Sequence, residues 1–439
     1  MLKQYEKYKD SGVVYLGSIP DSWEISKYKF TNEILMGQSP SSEDYSFEEN
    51  SFPFLQGNAE FGKFYPEAKI WCEKATKYSQ PNDILISVRA PVGAINISDK
   101  KYGIGRGLAA LRGRDNLPQF IYYFFSVLSE YLNSESSGST FTAISTSDIK
   151  EIILPKISLQ EQTQIALYLD YQTHIIDQLI SQKQKLIDLL KEKRQAIINE
   201  AVTKGLNPNA KMKDSGIEWL GEVPEHWRTL NFRYVIDILT DFTANGSFAD
   251  LAKNVTYLES GYSRLIRLTD LREDLKNNGI YVSEETHKYL SKSSLYGGEV
   301  LLANVGAYSG LAWKVPIIND IATLGPNMFL LKFENNLDND FAYFSLISDY
   351  LSSQLKNKAI SSAQPKLNKE DVRSCLFILP PLDEQQEIVE RLIKINEDYD
   401  NLISNINSQI EKLKEYRQSI ISEAVTGKID VRDWKVSES

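Results

Sequence analysis

Apolar residues recur along the last quarter of the chain in steps of four and three. They are Ile388, Leu392, Ile395, Tyr399, Leu402, Ile406, Leu413, Tyr416 and Ile420, with one polar miss at Gln409. Such a seam is the a/d stripe of a coiled-coil helix. An earlier segment carries Ile165, Leu169, Ile176, Leu179, Leu186, Leu190 and Ile197 on the same seam, interspersed with Gln172, Lys183 and Lys193. Neither segment has Pro or Gly between its ends. Each therefore predicts one uninterrupted helix of about 40 residues, roughly 60 Å long at 1.5 Å per residue. The two helices are expected to bury their seams against each other, with the polar seam residues fixing the register.

The two segments are copies. Leu190 to Thr203, LKEKRQAIINEAVT, returns at Leu413 to Thr426 as LKEYRQSIISEAVT, identical at eleven of fourteen positions at an offset of 223. In the same register Glu161, Gln162, Asp177, Ile180 and Ile187 are matched by Glu384, Gln385, Asp400, Ile403 and Ile410. A repeat of this kind sets the architecture before any local reading does. A shorter repeat, KDSGVVYLGSIPDSW at Lys9 to Trp23, reappears at an offset of 204 as KDSGIEWLGEVPEHW at Lys213 to Trp227. Its glycines and prolines punctuate turns, and Leu16, Trp23, Leu220 and Trp227 read as packing anchors rather than as platforms for stacked bases.

Residues 31–147 and 235–370 lie between these repeated flanks and share pattern rather than identity. Asn82 to Ser87 corresponds to Gly298 to Ala303, a turn running into a buried strand, and Gly93 corresponds to Gly310 at the start of another strand. Ser136 to Pro155 matches Ser361 to Pro380 as polar loop, short helix and last strand, while helices are expected at Pro118 to Asn133 and Asp340 to Leu355. Each insert is expected to be an α+β globular domain. One scaffold with freely differing loops is the form taken by a protein that reads two different ligands.

Composition excludes more than it suggests. Apolar and charged content, 42% and 25%, are ordinary for a globular protein. No apolar run is long enough to span a membrane, the N-terminal residues lack the apolar core of a signal peptide, and a cytoplasmic location is expected. The two cysteines, Cys72 and Cys375, are too few and too isolated for a disulfide framework or a zinc site. A net charge of −10 argues against whole-molecule attraction to nucleic acid but leaves room for local basic surfaces. His174, His226 and His287 have no nucleophile or metal partner at useful spacing, and no GxxxxGK[ST] phosphate loop occurs. Gly103 to Gly107 has the wrong spacing for a dinucleotide fingerprint, and the Asn/Asp-Pro-Pro-aromatic motif of adenine methyltransferases is missing. The expectation is a non-catalytic chain with no cofactor and no metal.

The chain resembles the specificity subunit of type I restriction-modification systems over nearly all of its length. The resemblance rests on the KDSG…LG.IP..W motif, on PPLDEQQEI at Pro380 to Ile388 with its weaker copy at Leu154 to Ile165, and on the two LKE.RQ.II.EAVT helix ends. It also rests on QPKLNKEDV at Gln364 to Val372 and on the turn at Asn82 to Leu85. Thr140 to Ile144 departs from the Gln-Pro-Lys-Leu type of loop found in the second half. The resemblance implies two target recognition domains, each reading one half of a bipartite asymmetric DNA target. It implies two long antiparallel coiled-coil helices that separate them and a pseudo-two-fold internal repeat. The corresponding divisions are 1–150 and 206–372 for the recognition domains, 151–205 for the first helical spacer and 373–439 for the second with its tail. The implied partners are double-stranded DNA, two copies of an adenine methyltransferase subunit, and a restriction subunit with ATP-dependent translocase-nuclease activity. DNA methylation and cleavage would then be catalysed by the partners. The alternative is a coiled-coil adaptor whose two globular heads bind proteins.

Base edges in the major groove favour Arg or Lys for guanine and Asn or Gln for adenine, and phosphates favour cations, hydroxyls and amides. Applied to loop-like stretches, this nominates Gln56, Asn58, Lys63, Arg89, Arg106, Ser139 and Thr140 in the first domain. In the second it nominates Arg264, Arg267, Thr269, Asn304, Tyr308, Asn327, Gln364 and Lys366. Arg89 and Arg106 stand out because each follows a strand and abuts proline or glycine. For methyltransferase docking, the repeated polar residues off the predicted seam are nominated: Arg194, Gln195, Glu200, Arg417, Gln418 and Glu423. Helix capping and local salt bridges are the competing account of their repetition.

Overall fold

The computed structural model describes residues 3–49, 51–135, 144–217, 220–318, 321–359 and 365–436. It consists of two compact units, residues 1–184 with 406–439 and residues 185–405. The division falls inside both long helices, Leu159–Lys204 and Leu382–Val425, so each unit comprises one head and parts of both helices. No helix among the described residues is long and apolar enough to cross a membrane.

In the first unit the short repeat forms a hairpin, Tyr8–Asp10 with Ser18–Pro20. The strand Glu24–Lys27 then pairs antiparallel with Ile153–Lys156, which leads into the first long helix. Between them lies an antiparallel sheet in the order Asn32–Met36, Leu108–Gly113, Ile84–Ser87, Ile95–Ile97. Every residue of Ile84–Ser87 is buried, because both faces of this sheet are covered. Ile84 and Ile86 pack with Phe120 and Phe124 of the helix Pro118–Glu135 and with Ile165 of the long helix, whereas Leu85 packs with Leu55 and Ile104 of a second sheet. That sheet runs Gly103–Ile104, Pro53–Leu55, Ile70–Cys72, Tyr45–Ser46, with its first pair parallel.

The second unit repeats this plan. Its hairpin is Met212–Asp214 with Glu222–Pro224, and Arg228–Asn231 pairs with Leu376–Leu379 ahead of the second long helix. The covered sheet runs Ile236–Asp241, Met328–Phe333, Val300–Ala303, Ala312–Lys314. Its partner sheet contains Ala322–Leu324 parallel to Ser263–Ile266, with Ile280–Val282 beyond. The two partner sheets differ at their edges. The first head has the pair Tyr45–Ser46 beside Ile70–Cys72, where the second has only the bridge Leu258 to Tyr281. The second has Ser294–Leu295 beside Ala322–Leu324, where the first has only the bridge Tyr78 to Gly103. The strand order is therefore shared, and each head extends it at the opposite edge.

The repeated flanking residues hold the heads to the helices. Trp23 and Trp227 are buried, and their Nε1 atoms each donate to the repeated glutamate at a helix start, Glu161 and Glu384, at 2.9 Å. Gln162 accepts from Leu117 N and Gln385 from Asp338 N, each at 2.7 Å, so these buried amides clamp the same loop in both heads.

The helix seams follow the predicted count in part. Ile165, Leu169, Ile176, Ile388, Leu392, Ile406 and Ile420 are buried on it, but Leu179, Leu186, Leu402 and Tyr416 are exposed, while Ile187 and Ile410, off the predicted seam, are buried. Counting apolar residues steps past Arg194 and Arg417, which are only about a quarter exposed. Arg417 Nε donates to Asp177 Oδ1 at 3.0 Å and Arg194 Nη1 to Asp400 Oδ1 at 2.6 Å, so both guanidiniums cross between helices. Within the first unit the partner of Asp177 is Arg417 and that of Lys183 is Gln409, which sets the helices antiparallel.

A second difference concerns the helix expected at Asp340 to Leu355. It is two helices, Asn339–Ile347 and Asp349–Ala359, broken at Ser348. Two amides of the first long helix occupy the break: Gln195 Nε2 donates to Ile347 O at 3.0 Å, and Asn199 Oδ1 accepts from Asp349 N at 2.8 Å. The counterpart in the first head, Pro118–Glu135, runs unbroken.

Candidate nucleic-acid interface

Four of the nominated residues of the first head meet in one cleft. Gln56, Asn58, Arg89 and Arg106 line a volume of about 490 Å³ together with Ser39, Ser42 and Tyr45. The backbone explains why they converge. The buried strand Ile84–Ser87 ends at Val88, whose N–H donates to Gly107 O at 2.9 Å, so Arg89 and Arg106 leave from neighbouring loops. A Cβ on Gly107 would lie 2.5 Å from Gln56 O, and one on Gly105 would lie 3.1 Å from Leu55 O. The glycine-rich stretch is therefore a close crossing of two backbones. It brings Gln56 beside Arg106, and Ser39 Oγ accepts from Arg106 N at 3.0 Å to complete the loop.

The cations of this head divide into two groups. Arg112 is bidentate to buried Asp83 at 2.8 and 2.7 Å, and Arg114 reaches Glu33 at 3.0 and 2.6 Å. Arg89 and Arg106 are exposed, and among the described residues neither guanidinium has an ion pair or hydrogen bond. Lys63 lies outside the cleft, with Nζ 3.5 Å from Asp177 on the first long helix. Ser139 and Thr140 lie outside the described residues, as does Gln364 of the second head.

In the second head the nominated arginines are engaged within the fold. Arg264 donates to Leu275 O at 2.9 Å and to Asn277 Oδ1 at 2.7 Å. Arg267 holds Asp270 through Nε at 3.1 Å and Nη2 at 2.9 Å. Burial pushes the Asp270 carboxyl up, but hydrogen bonds from Arg267, its backbone N–H and Asn277 outweigh this and leave it below the usual range. Asn304 is buried with its Oδ1 unpartnered among the described residues, and its N–H donates to Asn327 O at 3.1 Å. Asn327 is exposed in a left-handed conformation, φ 68°. Lys366 is exposed and bridges to Val305, next to Asn304. Thr269 is exposed on the helix Leu268–Arg272. Arg272, which the sequence reading did not nominate, lies with its guanidinium carbon 4.6 Å from the ring centroid of Tyr308. Its signal was a cation at the end of a short helix that follows a strand. Ser39 and Tyr45 were also missed, although the turn-rich run Gly37 to Ser42 marks a loop.

The six nominated helix residues also divide. Arg194 and Arg417 join the helices, and Gln195 fills the break at Ser348. Glu423 Oε1 accepts from Ser419 at 2.8 Å, and Glu200 is exposed. Gln418 shares a groove with Val127 of the unbroken helix Pro118–Glu135, and its Nε2 is buried without a hydrogen-bond partner among the described residues. It lines a groove of about 530 Å³ with Val127, Lys414, Glu415, Ser419 and Ser422.

A framework present twice, with different side chains in equivalent loops, defines a duplicated recognition scaffold. Residues 20–189 and 252–412 match the family described as the type I restriction modification DNA specificity domain, and the chain belongs to that family. It is 25% identical over 457 residues to the type I restriction enzyme MjaVIII specificity subunit of Methanocaldococcus jannaschii, covering 99% of both chains. It is 38% identical over 208 residues to the putative MjaX specificity subunit of the same organism, where the match spans 46% of each. With the EcoKI specificity subunit of Escherichia coli it shares 24% over 450 residues, 95% of this chain and 91% of the other. Its fold matches the crystal structure of the HsdS subunit from Thermoanaerobacter tengcongensis with a TM-score of 0.51 at 17% identity, covering 94% and 98% of the two chains. It matches a chain from a structure of type I R-M complex assembly with a TM-score of 0.70 at 16% identity, covering 94% and 99%.

Proposed function

We propose that this chain is the sequence-reading, non-catalytic subunit of a type I restriction-modification complex. Each head reads one half of a bipartite asymmetric DNA target, and the long helices dock two adenine methyltransferase subunits. A restriction subunit with ATP-dependent translocase-nuclease activity completes the assembly. The observation that carries this reading is the first-head cleft, where two unpaired guanidiniums and two amides converge on a framework that the second head repeats with other loop residues. Such donors suit base edges. The groove around Gln418, with an unsatisfied buried donor beside charged and hydroxyl side chains, supports a protein partner on the second long helix.

The test is to co-express the chain with a type I methyltransferase subunit and map methylated adenines across the host genome by single-molecule sequencing. A bipartite motif that disappears when this chain is omitted is expected, and exchanging residues 31–147 for those of a relative should change one half of it. A stable complex with an active methyltransferase but no methylation dependent on this chain would replace the reading with that of a protein-binding adaptor.

A further inference from the structure

The side chains lining the first-head cleft form an unusual set. They include two arginines, Gln56, Asn58, Ser39, Ser42 and Tyr45, with no lysine and no carboxylate among the described residues. Arginine meets phosphates as well as base edges, but beside the Gln56 and Asn58 amides, which also suit base edges, its planar fork matches the O6 and N7 acceptors of guanine. The same head neutralises Arg112 and Arg114 with carboxylates, whereas the arginines of this cleft have no ion pair among the described residues.

The second head shows what stands at the matching positions. Gly105 N donates to Leu55 O at 2.7 Å and Gly325 N to Ile266 O at 2.8 Å, while Val88 N and Asn304 N donate to Gly107 O and Asn327 O. Ile144 N and Leu367 N in turn donate to Val88 O and Asn304 O, at 2.9 and 2.8 Å. These bonds align Arg89 with Val305 and Arg106 with Pro326. Neither replacement can donate a side-chain hydrogen bond.

We infer that the first head specifies guanine in its half of the DNA target through Arg89 and Arg106, and that the second head reads its half without an arginine at either matching position. The inference rests on the reading of the heads as DNA readers given above. It assigns a base and two residues to one head, which that reading leaves open.

The experiment compares methylation maps of the methyltransferase complex carrying the unaltered chain, Arg89→Ala, Arg106→Ala and Arg106→Lys. Each complex is also assayed by competition binding against duplexes altered at single positions of the target. The half assigned to the first head by exchange of residues 31–147 is expected to contain guanine. Each alanine variant should make one guanine position degenerate, with discrimination there falling about 5- to 150-fold and the other half unchanged. Arg106→Lys, which keeps the charge but loses the fork, should be relaxed at the same position as Arg106→Ala. Three outcomes overturn the inference while leaving the heads as DNA readers: a first half without guanine, an unchanged motif in both alanine variants, or an equal loss for every single-base duplex. The last would mark phosphate contacts. Absence of any methylation that depends on the unaltered chain would overturn the underlying reading as well.

Discussion

The nominated arginines of the two heads are used in opposite ways on one framework. In the second, Arg264 is spent on a loop carbonyl and Asn277, and Arg267 on buried Asp270. In the first, the cap position equivalent to Asp270 is Glu60, which accepts from Gly57 N at 3.2 Å, and Gln56 stands next to that cap without a charge. The guanidiniums of Arg89 and Arg106 are left facing solvent instead. The same residue type thus serves the loop's own stability in one head and is held in reserve in the other. Whether an arginine is free to meet a ligand depends on a carboxylate three residues away or across a turn, and arginine content alone does not reveal it.

Four measurements bear on this difference. The largest effect is expected where the heads are alike. Trp23→Ala and Trp227→Ala each remove a fully buried indole and strand a glutamate, so each should cost about 3–5 kcal/mol in chemical denaturation. A difference above about 2 kcal/mol between the two would contradict equivalent anchoring. A smaller effect is expected where the heads differ. Asp270→Asn should destabilise the second head by roughly 2 kcal/mol, because it leaves Arg267 without its bidentate partner. Arg89→Ala and Arg106→Ala should shift stability by less than about 0.5 kcal/mol. Since the folded Asp270 carboxyl titrates below its unfolded value, its contribution is present at neutral pH and is lost as pH falls through the lowered folded value. Melting curves between pH 7 and 3 should therefore show a shallower acid limb in Asp270→Asn than in the unaltered chain. The smallest effect concerns the helices. Asp177 is 18% exposed and Asp400 71%, so a double-mutant cycle on Arg417 and Asp177 should give a coupling of about 1 kcal/mol. The cycle on Arg194 and Asp400 should give under about 0.5 kcal/mol, and equal couplings would show that burial does not separate the two pairs.

Much of the architecture is legible in the sequence because it is written twice. The repeated helix ends, the hairpin motif and the matched turns at Asn82 and Gly298 locate both heads and both helices. What escapes is decided by partners distant in the chain. The seam drifts from its apolar count because Arg194 and Arg417 reach aspartates more than 200 residues away. The break at Ser348 is set by Gln195 and Asn199, about 150 residues earlier, and nothing local to Asp340 to Leu355 announces it. Gln56, Asn58, Arg89 and Arg106 could be nominated because each sits just past a strand, where a loop must project. That they share one cleft follows from the close crossing at Gly105 and Gly107, a contact between backbones that no spacing rule encodes.

The crossed ion pairs of the helices bear on how the chain can change over generations. Asp177 and Asp400 occupy one site in the two copies of the repeat, and Arg194 and Arg417 another, yet each aspartate bonds the arginine of the other copy. A duplicated segment is ordinarily free to diverge, one copy drifting while its twin keeps the original role. Here the copies are complementary halves of two joints. A charge altered in one copy is repaired only by a change in its twin, so substitutions at 177 should travel with those at 417, and those at 194 with those at 400.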